Sequence, residues 1–440
     1  MQVKGEFAMA EIQPKITLET VSTLKLLEVK EINGDNESWE KYVEDEWQIP
    51  LDRYNELPFY VRVWVYPDQH LVRVLLFSDH YMSDGISGTV VLNDLITFAS
   101  ELSREGASEQ LTSGSEELPL RPPFYDMWLS SKPWSLLIGK VLVKFFGKML
   151  YVGEVQRFKP AIPVRADLAD LSVPIQINPC SALFAQGTSE NMKKALARCK
   201  DEGVTLFGAL AAATVVAYYI HCDADKRATN SPFKFKLDLP INMRQRVPNP
   251  TPETQVGAYM TSGELESFSK EGVTMDSATF WDLARKSKQE LEELVDGIVL
   301  PLSLLFLDKY VNANLTQKFL KGVHVRHSVT SDMDLSNVGR YAYKTTHTFR
   351  TASHTPKDLM IESVHVSNSM PHVGQAATIY VSSIDSLSYG FTHKYEDAKG
   401  KRLFETTVAS IERIGQISSK ETMLDVVNAV AASSGFEKTW

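Results

Sequence analysis

Residues 79 to 88 read DHYMSDGISG, which places His80 four positions ahead of Asp84, with Gly85 next. A neutral imidazole can take a proton from a hydroxyl or an amine, and such general-base help is worth roughly 10²–10⁴-fold in rate. The carboxylate of Asp84 admits three roles: a relay to His80, a cap on the helix that follows, or a partner for an arginine that braces the turn. The two bracing roles outweigh the relay. Gly85 permits a positive φ or the close approach of a bulky ligand to the backbone. A histidine at a strand end is by itself scaffold, its ring packed and one nitrogen bonded to the backbone, and that reading serves most of the ten histidines. The company of Asp84 and Gly85 lifts His80 above it. No phosphate-loop glycine pattern follows, so a nucleoside triphosphate is not implied.

The elements that must hold this turn can be read on either side of it. FYVRVWVY and HLVRVLLF are rich in β-branched and aromatic residues and flank PDQ, which predicts a hairpin whose second strand runs out at His80. Beyond Gly85, ISGTVVLNDLITFASEL sets Ile86, Val90, Val91, Leu95, Phe98 and Leu102 at helical spacing. The unit is strand, polar turn, helix.

Further along, residues 103–123 are rich in Ser, Glu, Gly and Pro and read as an exposed excursion. WSLLIGKVLVKFFGKMLY follows, with Lys140, Lys144 and Lys148 in one row. We read it as a helix half-buried on its own protein with a solvated lysine stripe, a membrane-surface helix being the lesser alternative. Proline punctuation then places a lobe boundary near residues 160–180, giving lobes 1–170 and 171–440, with a segment of the second crossing back to the first. In the second lobe GVTLFGALAAATVVAYYIH predicts a buried helix whose small residues admit a close neighbour. A strand is expected from Phe233 to Leu239, and a helix capped by Asp276 or Ser277, with a stripe through Phe280, Leu283, Leu291 and Leu294, ending at Gly297. Residues 298–307 are apolar core or line an apolar channel. TIYVSSI and LSYGFTHKY should pair around Asp385 and Ser386, and RLFETTVASIERI should close as an amphipathic helix.

Composition bounds the function. With 440 residues, of which 43% are hydrophobic, two lobes are expected. The net charge of −9 offers no global attraction for nucleic acid or an anionic membrane. Cys180, Cys199 and Cys222 are widely spaced and odd in number, which suggests neither disulfides nor a zinc site and fits a reducing, cytoplasmic setting. No secretory signal and no charge-free membrane span is visible in the sequence.

DHYMSDG, after an apolar strand and before an amphipathic helix, resembles the HxxxDG motif of the acyltransferase superfamily with the chloramphenicol acetyltransferase-like fold. That superfamily includes condensation domains, alcohol acetyltransferases and polyketide-associated acyltransferases. GVTLFGALAAATVVA is similar to the helix opening its second lobe, LDLPINMRQRV to its PxNLR segment, and DMDLSNVG to its SNLG segment. The resemblance implies an α/β (α+β) protein of two such lobes, each a mixed sheet covered by helices, with a tunnel between them.

It also implies roles. His80 would be the general base that deprotonates an alcohol or amine as it attacks an acyl thioester carbonyl. Asp84 would point away from the site and pair with an arginine, for which Arg244 is the candidate, and Gly85 would leave room where the substrates meet. Ser336 and Asn337 would lie near the acceptor or the developing oxyanion. Read from composition alone, Arg244 is a solvated turn residue and DLSNVG a turn. No DFGWG segment occurs, which argues against the plant-type branch, and Asp79 stands where many condensation domains carry a second histidine.

Two other features read as bystanders. Ser386 in IDSLS echoes a phosphopantetheine attachment site but is expected in a hairpin turn, and His324 and His327 lack the ligands for a metal. The leading reading is a monomeric, cofactor-free acyltransferase using acyl-CoA as co-substrate and an alcohol, or secondarily an amine, as acceptor. The alternatives are a carrier-protein thioester as donor; because only 79 residues precede His80, a degenerate module that binds acyl thioesters without turning them over; and, third, a membrane-surface lipid acyltransferase suggested by the lysine-striped helix at 136–150.

Overall fold

The computed structural model describes residues 2–4, 7–9, 17–33, 38–49, 57–105, 124–169, 180–223, 227, 231–297, 300, 328–350 and 355–433. The chain divides into two compact units. The first comprises Met1–Arg121, Pro250–Tyr259 and Ala342–Ile361, and the second Pro122–Asn249, Met260–Tyr341 and Glu362–Trp440. The first division thus falls at Arg121, ahead of the 160–180 connector singled out by its prolines. The reason is visible in the backbone of that connector. Ala161 N–H donates to Asp332 Oδ1 at 2.5 Å, Arg165 N–H to the Lys394 carbonyl at 2.9 Å, and Ser328 Oγ to the Leu168 carbonyl, all within the second unit.

The first unit is built on strands β1 (Leu27–Glu31), β2 (Phe59–Tyr66) and β3 (Leu71–Ser78), with helix α1 (Trp39–Trp47) between β1 and β2 and helix α2 (Gly85–Glu105) after β3. β2 is central, parallel to β1 and antiparallel to β3 in an unbroken register from Phe59 opposite Ser78 to Tyr66 opposite Leu71. The predicted hairpin is therefore present, its turn closed by His70 at φ 51. Ile32, Trp64 and Tyr66 form its buried core with Trp39 and Tyr42 of α1 packed alongside. Phe98 and Leu102, expected on the inner stripe of α2, are exposed instead. That end of α2 is held by polar contacts: Ser100 Oγ and Arg104 Nε each donate to the Thr348 carbonyl at 3.0 Å. Thr348 belongs to a returning hairpin, Thr346–Arg350 with Pro356–Met360.

The second unit adds, in chain order, α3 (Pro133–Arg157), β4 (Ser181–Gln186), α4 (Leu206–His221), β5 (Leu237–Asn242), β6 (Met260–Glu264), α5 (Phe280–Asp296), β7 (Met333–Arg340), β8 (Ala377–Ser383), β9 (Leu387–His393) and α6 (Asp397–Glu412). Its six-stranded mixed sheet runs β4-β9-β8-β7-β5-β6, with β7 parallel to both β8 and β5 and the other pairs antiparallel. α4 is buried along nearly its whole length, as its small residues imply. Three expectations shift. The strand begins at Leu237, because residues 233–236 bond instead to Val273, Phe268 and the Asp332 carboxylate. α5 is capped by Thr279, whose hydroxyl accepts from Asp282 N–H at 3.1 Å, and by neither Asp276 nor Ser277. α3 exposes its lysine row, but its large apolar side chains face outward as well. β8 and β9 pair as expected, with Ser386 in the turn accepting from Gln186 Nε2 at 3.0 Å.

Sheet parity separates core from polar face. Leu237, Leu239, Met333, Leu335, Ile379, Val381, Tyr389 and Phe391 are buried on one side, where Phe404 of α6 stacks on Phe391. The alternating positions on the other side are Asp238, Asp334, Ser336, Thr378, Tyr380, Ser382 and Thr392. The period of two in MDLSN and ATIYVSS makes this division.

Candidate active site

The strand end fixes the motif turn through its backbone. Asp79 N–H donates to the Pro58 carbonyl at 2.8 Å, and Asp79 Oδ1 in turn accepts from Tyr81 N–H at 3.1 Å. Ser78 Oγ and Ser83 Oγ, at the two ends of the turn, lie 2.7 Å apart. His80 projects from this frame and is exposed. Its Nδ1 lies 2.7 Å from the Ser83 carbonyl oxygen. A carbonyl only accepts, so Nδ1 carries a proton, and in the neutral ring the lone pair is then on Nε2. That is the form a general base needs. Tyr81 and Met82 beside it are exposed too.

Asp84 is buried and occupied. Its Oδ1 accepts from both the N–H and the hydroxyl of Ser87 at 2.9 Å, which is the N-cap geometry for α2. Its Oδ2 accepts from Tyr259 N–H at 3.0 Å. Ser87, fully buried, also accepts from Gly257 N–H and has the Gly257 carbonyl within reach of its hydroxyl, both at 2.9 Å. The returning segment 250–259 is thereby tied to the start of α2. Gly257 sits at φ +159, and a Cβ there would meet the Tyr259 ring at 2.5 Å. Gly85 is the first residue of α2 and is not among the described glycines with positive φ. Its conformational freedom is not what the turn uses.

The remaining candidates stand in the second unit. Arg244 is fully buried, its N–H donating to Asn242 Oδ1 at 3.0 Å, so it is no solvated turn residue. A guanidinium so placed needs acceptors around it. Ser336 and Asn337 belong to β7 and not to a turn; Ser336 is half-buried on the polar face, and Asn337 is exposed just before a register shift at Gly339, where φ is +90. On the same face lies Asp334, which sequence reasoning passed over. Burial, and secondarily the charge of Asp238 on the neighbouring strand, push its carboxyl up to about 8. Burial also pushes Lys394 down to about 7.

Other titratable groups behave as scaffold. His221 and His393 are held down to about 4, in both cases chiefly by burial, and so remain neutral rings. The three cysteines are buried free thiols, with Cys199 pushed up to about 11 by burial. His324, His327, residues 106–123 and all of 298–307 except Leu300 lie outside the described residues. Among the described residues no group of three or more His, Cys, Asp or Glu side chains could hold a metal, and no single helix is long and apolar enough to cross a membrane.

The alcohol acetyltransferase family model matches residues 29–354, and the chain belongs to that family. No curated protein matches it. Among solved structures it is similar to the TRI3 trichothecene 15-O-acetyltransferase from Fusarium sporotrichioides, with 12% identity and a TM-score of 0.59 over 89% of this chain and 77% of that one. It is also similar to the first condensation domain of the CDA synthetase, with 10% identity and a TM-score of 0.55 over 91% and 77% of the two chains. At such identities the likeness is one of fold, the two-lobed chloramphenicol acetyltransferase-like α/β architecture. Family and fold together make the protein an acyltransferase.

Proposed function

We propose that the protein moves an acyl group from a coenzyme A thioester to an alcohol, with an amine as second choice of acceptor, and that His80 is its general base. The lone pair on Nε2 accepts the acceptor's proton as its oxygen attacks the thioester carbonyl. The tetrahedral adduct then collapses, the C–S bond breaks, and the imidazolium returns the proton to the departing thiolate. The ester and free coenzyme A leave, and the enzyme is restored without any other cofactor. Ser336 and Asn337 are kept as substrate contacts. The observation that carries this reading is the Nδ1 anchor, which turns the Nε2 of the neutral ring outward on an exposed side chain.

Asp84 is a positioning residue in this scheme. Its oxygens serve Ser87 and Tyr259 and fix where the turn enters α2. A carrier-protein thioester is the second donor reading, supported by the likeness to a condensation domain across 91% of the chain.

The test supplies the folded chain with a panel of acyl-CoAs, or with the same acyl groups on a phosphopantetheinylated carrier protein, together with alcohols and amines. Acceptor-dependent release of free coenzyme A supports the proposal. Turnover with the carrier alone selects the second donor, and binding without turnover on either marks a non-catalytic module.

A further inference from the structure

Helix α3 buries small side chains and exposes large ones. Among the residues of α3 whose burial is described, Gly139, Val143 and Gly147 are the buried ones, spaced i, i+4, i+8, and they form a low ridge along one side of the helix. On a wheel of about 100° per residue the opposite face carries Trp134, Leu137, Ile138, Val141, Phe145 and Met149. Their exposures are 76%, 54%, 47%, 47%, 69% and 63%. At about 1.5 Å per residue this stripe is roughly 22 Å long. Single exposed apolar residues are ordinary, but a contiguous stripe of this size marks a contact surface.

The edge of the stripe says what it contacts. Lys140, Lys144 and Lys148 are exposed in one row beside it, and no acidic residue occurs between Pro133 and Gly153. In a chain of net charge −9 this is an isolated basic strip. We infer that this face docks on a lipid bilayer bearing anionic headgroups, with α3 lying in the interfacial plane. The apolar side chains enter the acyl boundary while the lysine stems reach back to the headgroups. Trp134, the most exposed of the six, stands at one end, where an aromatic ring suits the headgroup level. Three lysines in the middle of the helix forbid a spanning orientation. Two copies joined through this face would bring two lysine rows together, with no carboxylate between Pro133 and Gly153 on either helix to answer them.

The test is flotation of the full chain with vesicles of phosphatidylcholine alone and with added phosphatidylserine. Wild type should float with the anionic vesicles and far less with the neutral ones. Replacing the three lysines by Gln (Lys140→Gln, Lys144→Gln, Lys148→Gln) should cost roughly fivefold in partitioning per charge, and so about a hundredfold together. The double change Leu137→Ser with Phe145→Ser should abolish flotation, while circular dichroism stays that of wild type because both side chains are exposed. The inference is overturned if folded wild type stays with the unbound fraction, or if both variants float as wild type does. It is equally overturned if wild type is a dimer that the serine variant dissolves, since a second copy then covers the face.

Discussion

His80 Nδ1 and the carbonyl oxygen of Ser83 lie 2.7 Å apart within a single turn. The ring is therefore oriented by backbone, and the nearby carboxylate of Asp84 is engaged elsewhere, with Ser87 and Tyr259. A serine-protease-like relay from Asp84 to the imidazole is not what this turn builds.

Removing Asp84 should accordingly act first on stability. Asp84→Ala strands the N–H groups of Ser87 and Tyr259 in a buried setting and should cost about 2–4 kcal/mol. Asp84→Asn should also destabilise, because whichever way its amide is turned, an NH₂ group meets an N–H donor. Ser87→Ala should cost about 1–2 kcal/mol. Urea midpoints for the three variants check the order.

Two glycines in helices should respond oppositely to alanine. A Cβ at Gly208 of α4 would stand 2.4 Å from the Ala284 carbonyl oxygen, backbone that cannot swing aside, so Gly208→Ala should destabilise by about 1–3 kcal/mol. At Gly88 of α2 a Cβ meets nothing within 4 Å. Gly88→Ala should stabilise by about 0.5–1 kcal/mol, read as a rise in thermal midpoint.

Asp334 predicts a pH dependence. Its carboxyl is held up at about 8 in the folded chain, against 3.8 for an ordinary aspartate. Between those pH values the folded state binds the proton that the unfolded chain has lost. Its contribution is thus fully present below about pH 4 and is lost as pH rises towards 8. Asp334→Asn, neutral throughout, should raise the midpoint most near pH 8 and least near pH 4, by about 1–2 °C for each kcal/mol released. A pH-independent difference would contradict the assignment.

Much of the frame around the motif was legible because it is local. Alternation over Phe59–Ser78 and helical spacing after Gly85 need no distant partner. The N-cap spacing from Asp84 to Ser87 was equally local, although Ser87 itself went unnoticed. The Tyr259 contact was beyond reach, because it joins residues 175 apart in sequence and no periodicity encodes it. The polar face of the larger sheet lies open in the alternation of MDLSN, but the Asp, Ser, Asn and Gly content of DLSNVG suits a turn as well, so composition alone does not choose between strand and turn. For α3 the usual rule that the apolar face turns inward failed: the ridge of Gly139, Val143 and Gly147 allows a closer approach than the large side chains would.

The most direct test of the account is the rate of acceptor-dependent acyl transfer by His80→Ala beside wild type, with the thermal midpoint of each. The His80 side chain is exposed and its ring bonds to the Ser83 carbonyl, so the midpoint should move little. The rate should fall by about 10²–10⁴-fold. A variant that keeps its fold and turns over within a few-fold of wild type would show that the proton goes to some other group.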